Sequence, residues 1–197
     1  MTEDTARGAI PDEELAAESA AGSEACFEEL VRRFTPRLFR YLRPKTASDE
    51  EAEDLVQETF RKAFQYIDRF DTDYRFSTWL YTIAHRQAIS LFRGRRTHAA
   101  APLEAVDESS GPEDLLVRSE EVRNLWTLAR RLRPLQYQAF WLRYAEDLPV
   151  AEIARVMKRP AVQIRILLHR GRLKLAAAVK EEGRRACQTA RRNIPLL

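Results

Sequence analysis

Residues 48–67, SDEEAEDLVQETFRKAFQYI, hold the pattern on which the fold turns. Ala52, Leu55, Val56, Phe60, Ala63, Phe64 and Ile67 recur at spacings of three and four, which puts them on one stripe of an α-helix. The charged and polar residues between them are left for water. Ser48 precedes the stripe as a candidate N-cap, and Glu51 three residues on completes a capping-box pattern. The same period continues on both sides. Upstream, Ser23 caps a helix through CFEELVRRFTPRLFRYLR, in which Pro36 predicts a kink or break. Downstream, the polar turn DRFDTDYR leads into a helix from Phe76, with Ser77 as a further cap candidate, to about Arg96. Its inward stripe is Phe76, Leu80, Ile83, Ala84, Gln87 and Leu91.

The helical pattern stops at residues 97–113, THAAAPLEAVDESSGPE, where Ala, Pro, Ser and acids replace the stripe. This composition predicts a flexible linker. Beyond it, Pro112, Pro134, Pro149 and Pro160 each stand where a helix begins, the position at which a missing N–H costs nothing. No strand alternation appears. The expected fold is all-α: two small helical domains joined by a flexible acidic linker. Expected boundaries are an acidic tail at 1–21, a helical domain at 22–96, the linker at 97–114, a second helical domain at 115–180 and a basic tail at 181–197.

Composition narrows the function. The chain has 197 residues, a net charge of +3, 6 glycines and 2 cysteines. Two cysteines exclude a disulfide framework and a cysteine-only zinc cage. No apolar run reaches the ~18 residues of a bilayer span, and the acidic N-terminus is unlike a secretory signal. A soluble, cytoplasmic protein without membrane insertion is expected. The small net charge hides strong segregation. Residues 1–30 hold nine acids and one base, whereas residues 149–197 hold twelve bases and three acids. A basic block of that size suits a polyanion.

Residues 149–175 have the outline of a helix-turn-helix: a short helix ending at Met157, a turn at Lys158-Arg159, and a longer helix opened by Pro160. Ile164, Leu168, Gly171 and Leu175 form its inward stripe, with Arg165 and Arg172 on one flank and Arg170 and Lys174 on the other. Any small helical bundle also contains such geometry, so this segment alone leaves both readings open. Catalysis has no support. His85, His98 and His169 stand apart, with no HExxH pattern, phosphate-binding glycine loop or GxSxG. No cofactor and no metal site are expected.

Two stretches, AEDLVQETFRKAF at 52–64 and FSTWLYTIAHRQAI at 76–89, resemble the two-helix core of bacterial sigma factors. LRPLQYQAFWLRYAEDLPVAEIARVM at 132–157 and the helix after it resemble the C-terminal domain of the extracytoplasmic-function (ECF) type. The resemblance covers roughly residues 22–96 and 115–178. It implies a non-enzymatic protein that binds core RNA polymerase, recognises two promoter elements and helps to melt the DNA.

By that resemblance, Asp54, Gln57, Glu58 and Arg61 face the clamp helices of the polymerase's largest subunit. Phe70, Tyr81, Thr82 and Arg86 fall on the pocket for the minus-ten element, with Trp79 and His85 beside them and Arg93 toward phosphate. Phe70 and Trp79 read equally as core aromatics. His85 and Arg86 depart from the usual Arg and Asn, which leaves the preferred base open. Gln163, Arg165, Ile166, His169, Arg170 and Lys174 fall on the minus-thirty-five reader. Here Lys158 replaces a turn glycine, and Val162, Ile166 and Leu173 make a second, outward apolar stripe. That stripe predicts weak base reading and a cover supplied by the first domain, the C-terminal tail or a repressor. Promoter DNA and core polymerase are the expected partners, and an anti-sigma factor is a candidate third. The alternatives are a helix-turn-helix regulator acting without polymerase and a helical interaction module that has lost DNA binding.

Overall fold

A computed structural model describes residues 10–98 and 120–192, with side chains over 10–91 and 124–181 and at Arg184. The described residues form eight α-helices and no strand: α1 Asp12–Ala20, α2 Glu24–Leu42, α3 Asp49–Gln65, α4 Phe76–His98, α5 Glu120–Ala129, α6 Pro134–Tyr144, α7 Val150–Met157 and α8 Ala161–Arg192. The all-α expectation holds. The linker expected at 97–114 lies outside the described residues beyond His98.

In the first half, α1 to α4 close around Leu30, Phe34, Leu38, Leu55, Phe76 and Leu80. Ser48 caps α3 as expected, its hydroxyl accepting from the Glu51 N–H at 3.2 Å. The Glu51 carboxylate reaches one residue further back and accepts from the Ala47 N–H at 2.7 Å. Phe64, expected on the inward stripe, is half out in solvent at the rim, its ring edge-on to Phe27 at 5.0 Å. Pro36 neither breaks nor ends α2. A single missing hydrogen bond is offset by the burial of Phe34 and Leu38 on either side of it.

The acidic tail expected at 1–21 is corrected from Asp12 onward, because α1 is a packed helix. Leu15 and Ala16 are fully buried, and two of its acids have structural partners. Asp12 pairs with Arg33 at 2.6 Å. Glu13 accepts the Phe76 N–H at 3.0 Å and so caps α4, the task the sequence suggested for Ser77. Two buried apolar side chains in nine residues are too few to stand out against the surrounding charge in a periodicity reading.

In the second half, Pro134 is the first residue of α6, Pro149 is the N-cap of α7 and Pro160 directly precedes α8. The turn between α7 and α8 is closed by the Arg159 N–H to the Ala154 carbonyl at 3.0 Å. Lys158 there has φ of 49°, left-handed backbone that favours glycine and costs another residue roughly 1 kcal/mol. Gly171 of α8 is required by close approach, since a Cβ would lie 2.8 Å from the Phe140 ring. The basic tail expected from 181 is not separate: α8 continues unbroken to Arg192.

The two halves are packed together. α7 lies against α4, α6 meets the turn Arg43–Lys45 that follows α2, and one apolar cluster runs through both halves.

Candidate nucleic-acid interface

Three surfaces carry the residues singled out from the sequence. The first is the outer face of α3. Asp54, Gln57 and Arg61 are exposed and Glu58 is half-exposed, opposite the buried Ala52, Leu55, Val56, Thr59 and Phe60. Spacings of three, one and three put all four on one face. Glu58 and Arg61 are tied by two hydrogen bonds of 2.7 and 2.8 Å. Chiefly through that contact, the Arg61 guanidinium holds the Glu58 carboxyl down at about 2. The face therefore presents the Glu58–Arg61 ion pair beside the exposed Asp54.

The second surface is α4 with the turn before it, and here the expected residues divide. Trp79, Thr82 and Arg86 share one side, half-buried, half-buried and exposed respectively. Phe70 is half-buried and packs at 5.5 Å against both Phe76 and Trp79. Tyr81 and His85 lie on another side and are buried, with 0% and 3% of their surface exposed. That side faces the second half of the molecule. The Tyr81 hydroxyl donates to the Glu146 carboxylate at 2.7 Å and accepts from the Trp141 indole N–H at 3.2 Å. One turn back, the Thr78 hydroxyl donates to Glu152 of α7. In this arrangement Tyr81 and His85 are not presented to DNA. Arg93 lies on α4, but its side chain is outside the described residues.

Glu146, which sequence reasoning missed, is the centre of the contact between halves. Its side chain is wholly buried and accepts two hydrogen bonds from one edge of the Arg37 guanidinium of α2, from Nε at 3.1 Å and from Nη2 closer still. Its only trace in the sequence is an acid directly after the aromatic run of α6. Around it, the Tyr137 hydroxyl donates to the Arg40 carbonyl at 3.2 Å and Arg75 to the Asp147 carbonyl at 3.1 Å. His85 Nδ1 lies 3.1 Å from the Tyr41 hydroxyl and 3.2 Å from Lys45 Nζ. Burial first, and the Lys45 charge second, push the His85 imidazole down to about 3, so it is neutral.

The third surface is the outer side of α8. Gln163, Arg165, Ile166, His169, Arg170 and Lys174 are all exposed, and Ile164, Leu168, Gly171 and Leu175 are buried as the inward stripe. Val162, Ile166 and Leu173 are 61, 44 and 60% exposed. The first domain therefore does not cover this stripe, contrary to one of the expected covers, because it packs against α7 instead.

Comparison with known proteins agrees with this division. The description Sigma-70 region 2 matches residues 30–98, and Sigma-70, region 4 matches residues 123–175. The ECF RNA polymerase sigma factor BldN of Streptomyces coelicolor is 31% identical over 176 residues, covering 87% of this chain and 67% of the relative. The chain belongs to the ECF sigma factors. SigW of Bacillus subtilis, also an ECF RNA polymerase sigma factor, is 26% identical over 81% of this chain and 92% of its own. The sigma factor RpoE of Bartonella quintana, solved in complex with the anti-sigma factor NepR, shares the fold. Its TM-score is 0.62 at 23% identity, over 78% of this chain and 96% of that one. A sigma factor directs promoter-specific transcription initiation by core RNA polymerase, and the regulator and interaction-module alternatives are not favoured. Sigma factors are known as non-enzymatic initiation factors. Among the described residues, no helix is long and apolar enough to cross a membrane.

Proposed function

We propose that this sigma factor docks on the clamp helices of the largest polymerase subunit through Asp54, Gln57, Glu58 and Arg61. It then reads the minus-ten element with α4 and the minus-thirty-five element with α8. The exposed polar face of α3 carries the reading, since four residues of mixed charge stand clear of the core with no packing role. A face with an acidic excess suits a partner helix bearing arginines. The protein works in the cytoplasm, and no enzymatic step is assigned to it.

The promoter residues divide by state. Trp79, Thr82, Arg86 and Phe70 sit on the open side of α4, whereas Tyr81 and His85 are reached only once α7 has lifted away. On α8, Arg165, Arg170 and Lys174 supply mainly phosphate affinity. Gln163 and His169 are the polar base readers, and Ile166 offers a methyl contact to thymine. An anti-sigma factor is the further partner we assign, in keeping with the complex in which the Bartonella protein was solved. Pull-down of core polymerase tests the docking face. Reversing charge at Asp54 and Glu58 should weaken capture of the largest subunit with helicity intact, and unchanged capture would remove the assignment.

A further inference from the structure

Between the halves lies a cavity of about 660 Å³, within the usual range for small-molecule sites and far larger than an inorganic anion needs. Lys45 and His85 line it from the first half, and Gln138, Met157, Lys158 and Arg159 from the second. Its charge is of one sign: three cationic side chains line it and, among the described residues, no carboxylate does.

Two of these groups are left short of partners in a way that a folded protein rarely tolerates. Lys45 is 4% exposed. Its Nζ lies 3.2 Å from His85 Nδ1 and 5.1 Å from the centre of the Tyr41 ring. Among the described residues it makes no ion pair. Burial pushes its ammonium down to about 7. Gln138 is fully buried, and among the described residues both its amide nitrogen and its amide oxygen lack a hydrogen-bond partner. Each such orphan costs about 1–3 kcal/mol, and a buried ammonium without a counter-charge costs more. The Gln138 amide nitrogen and the Lys45 ammonium are donors beside one cavity from which an oxyanion would accept, and a protonated oxygen of a phosphate-monoester head would in turn donate to the Gln138 amide oxygen. The exposed Lys158 and Arg159 at the start of α8 add positive charge at the entrance. Apart from Gln163, the remaining wall is apolar, with Ile89, Leu135, Pro134 and Pro160.

We propose that this cleft is a binding site for a small amphipathic anion, with a carboxylate or phosphate-monoester head on Lys45 and Gln138 and an apolar body against Ile89, Leu135 and Met157. Its walls come from both halves, so an occupant ties them together and favours the packed arrangement. The site is separate from the face of α3 assigned to polymerase, and it borders the minus-thirty-five face of α8 at Gln163.

Calorimetric titration of the full-length protein with sodium octanoate and with octyl phosphate tests the site, with octanol and inorganic phosphate as controls. Methyl resonances of Met157 and Ile89 report the location. At least one amphiphile should bind saturably at one site and shift both methyls, and the one that binds tighter identifies the head. Each control should bind about tenfold more weakly or worse, because it lacks one half of the recognition. Lys45→Met preserves the buried volume and should stay folded while losing about tenfold in affinity. The double variant Lys158→Ala/Arg159→Ala changes only exposed side chains and should lose several-fold. Three results overturn the proposal: no saturable binding of either amphiphile, octanol binding as tightly as octanoate, or unchanged affinity in Lys45→Met.

Discussion

Glu146→Gln is the substitution that probes the packed arrangement most deeply. The amide keeps the shape of the carboxylate but removes its charge, leaving the Arg37 guanidinium between the halves without a counter-ion. Breaking a fully buried ion pair costs about 3–5 kcal/mol. The Arg37 side chain keeps 24% of its surface in solvent while that of Glu146 keeps none, so partial rehydration lowers the expected cost to about 2–3 kcal/mol. The contact joins the halves, so that loss falls on the equilibrium between packed and separated forms. At 1.4 kcal/mol per factor of ten, it shifts that equilibrium by roughly 30- to 140-fold. Amide hydrogen exchange over residues 78–85 reads the shift directly, since this stretch of α4 lies under α7. Its exchange should accelerate by a similar factor while α3 stays protected. Replacing both partners with apolar residues, Arg37→Met with Glu146→Leu, should restore much of the protection, because neither charge is then left unpaired. Unchanged exchange in Glu146→Gln, or a double variant as open as the sum of the two single ones, would show that the pair does not hold the halves together.

Other outcomes follow from single residues. The Lys45 ammonium has a folded value of about 7 against an ordinary 10.5. The unfolded chain therefore binds more protons between those limits, and stability should rise with pH from about 7 to about 10.5. Lys45→Met should lack that rise in urea titrations across the range. Gly171→Ala puts a methyl 2.8 Å from Phe140 and should cost about 1–2 kcal/mol by chemical denaturation, overpacking outweighing the gain in helix propensity. Phe70→Ala removes a ring positioned to stack a melted base, an interaction of about 1–3 kcal/mol. It should impair open-complex formation on duplex promoters more than on pre-melted templates, and equal loss on both would point to the packing of Phe76 and Trp79 instead.

Legibility in the sequence followed the physics of each element. α3 and α8 each bury one continuous stripe, so their inward faces, Phe64 at the rim excepted, emerge from residue spacing. Capping could be placed only when cap and helix are adjacent in the chain: Ser48 was legible, whereas Glu13 caps α4 from 63 residues away. The division of α4 between Trp79, Thr82 and Arg86 on one side and Tyr81 and His85 on the other follows from helical angle. Which side meets the second half depends on Glu146 and Glu152, acids that look like any others until the tertiary contact forms. Lys45 and Gln138 were illegible for a related reason. A polar residue in a turn or on an amphipathic helix reads as exposed, and only packing of the two halves reveals that both are buried without adequate partners.

Reconstituted run-off transcription tests the sigma-factor assignment most directly. Purified core polymerase should yield no discrete transcript from a library of promoter fragments of the source genome. Adding this protein should produce defined start sites, and Asp54→Lys with Glu58→Lys should abolish them while leaving DNA binding by α8 intact. Sequence-specific DNA binding without any core-dependent transcript would contradict the assignment and favour a regulator that acts without polymerase.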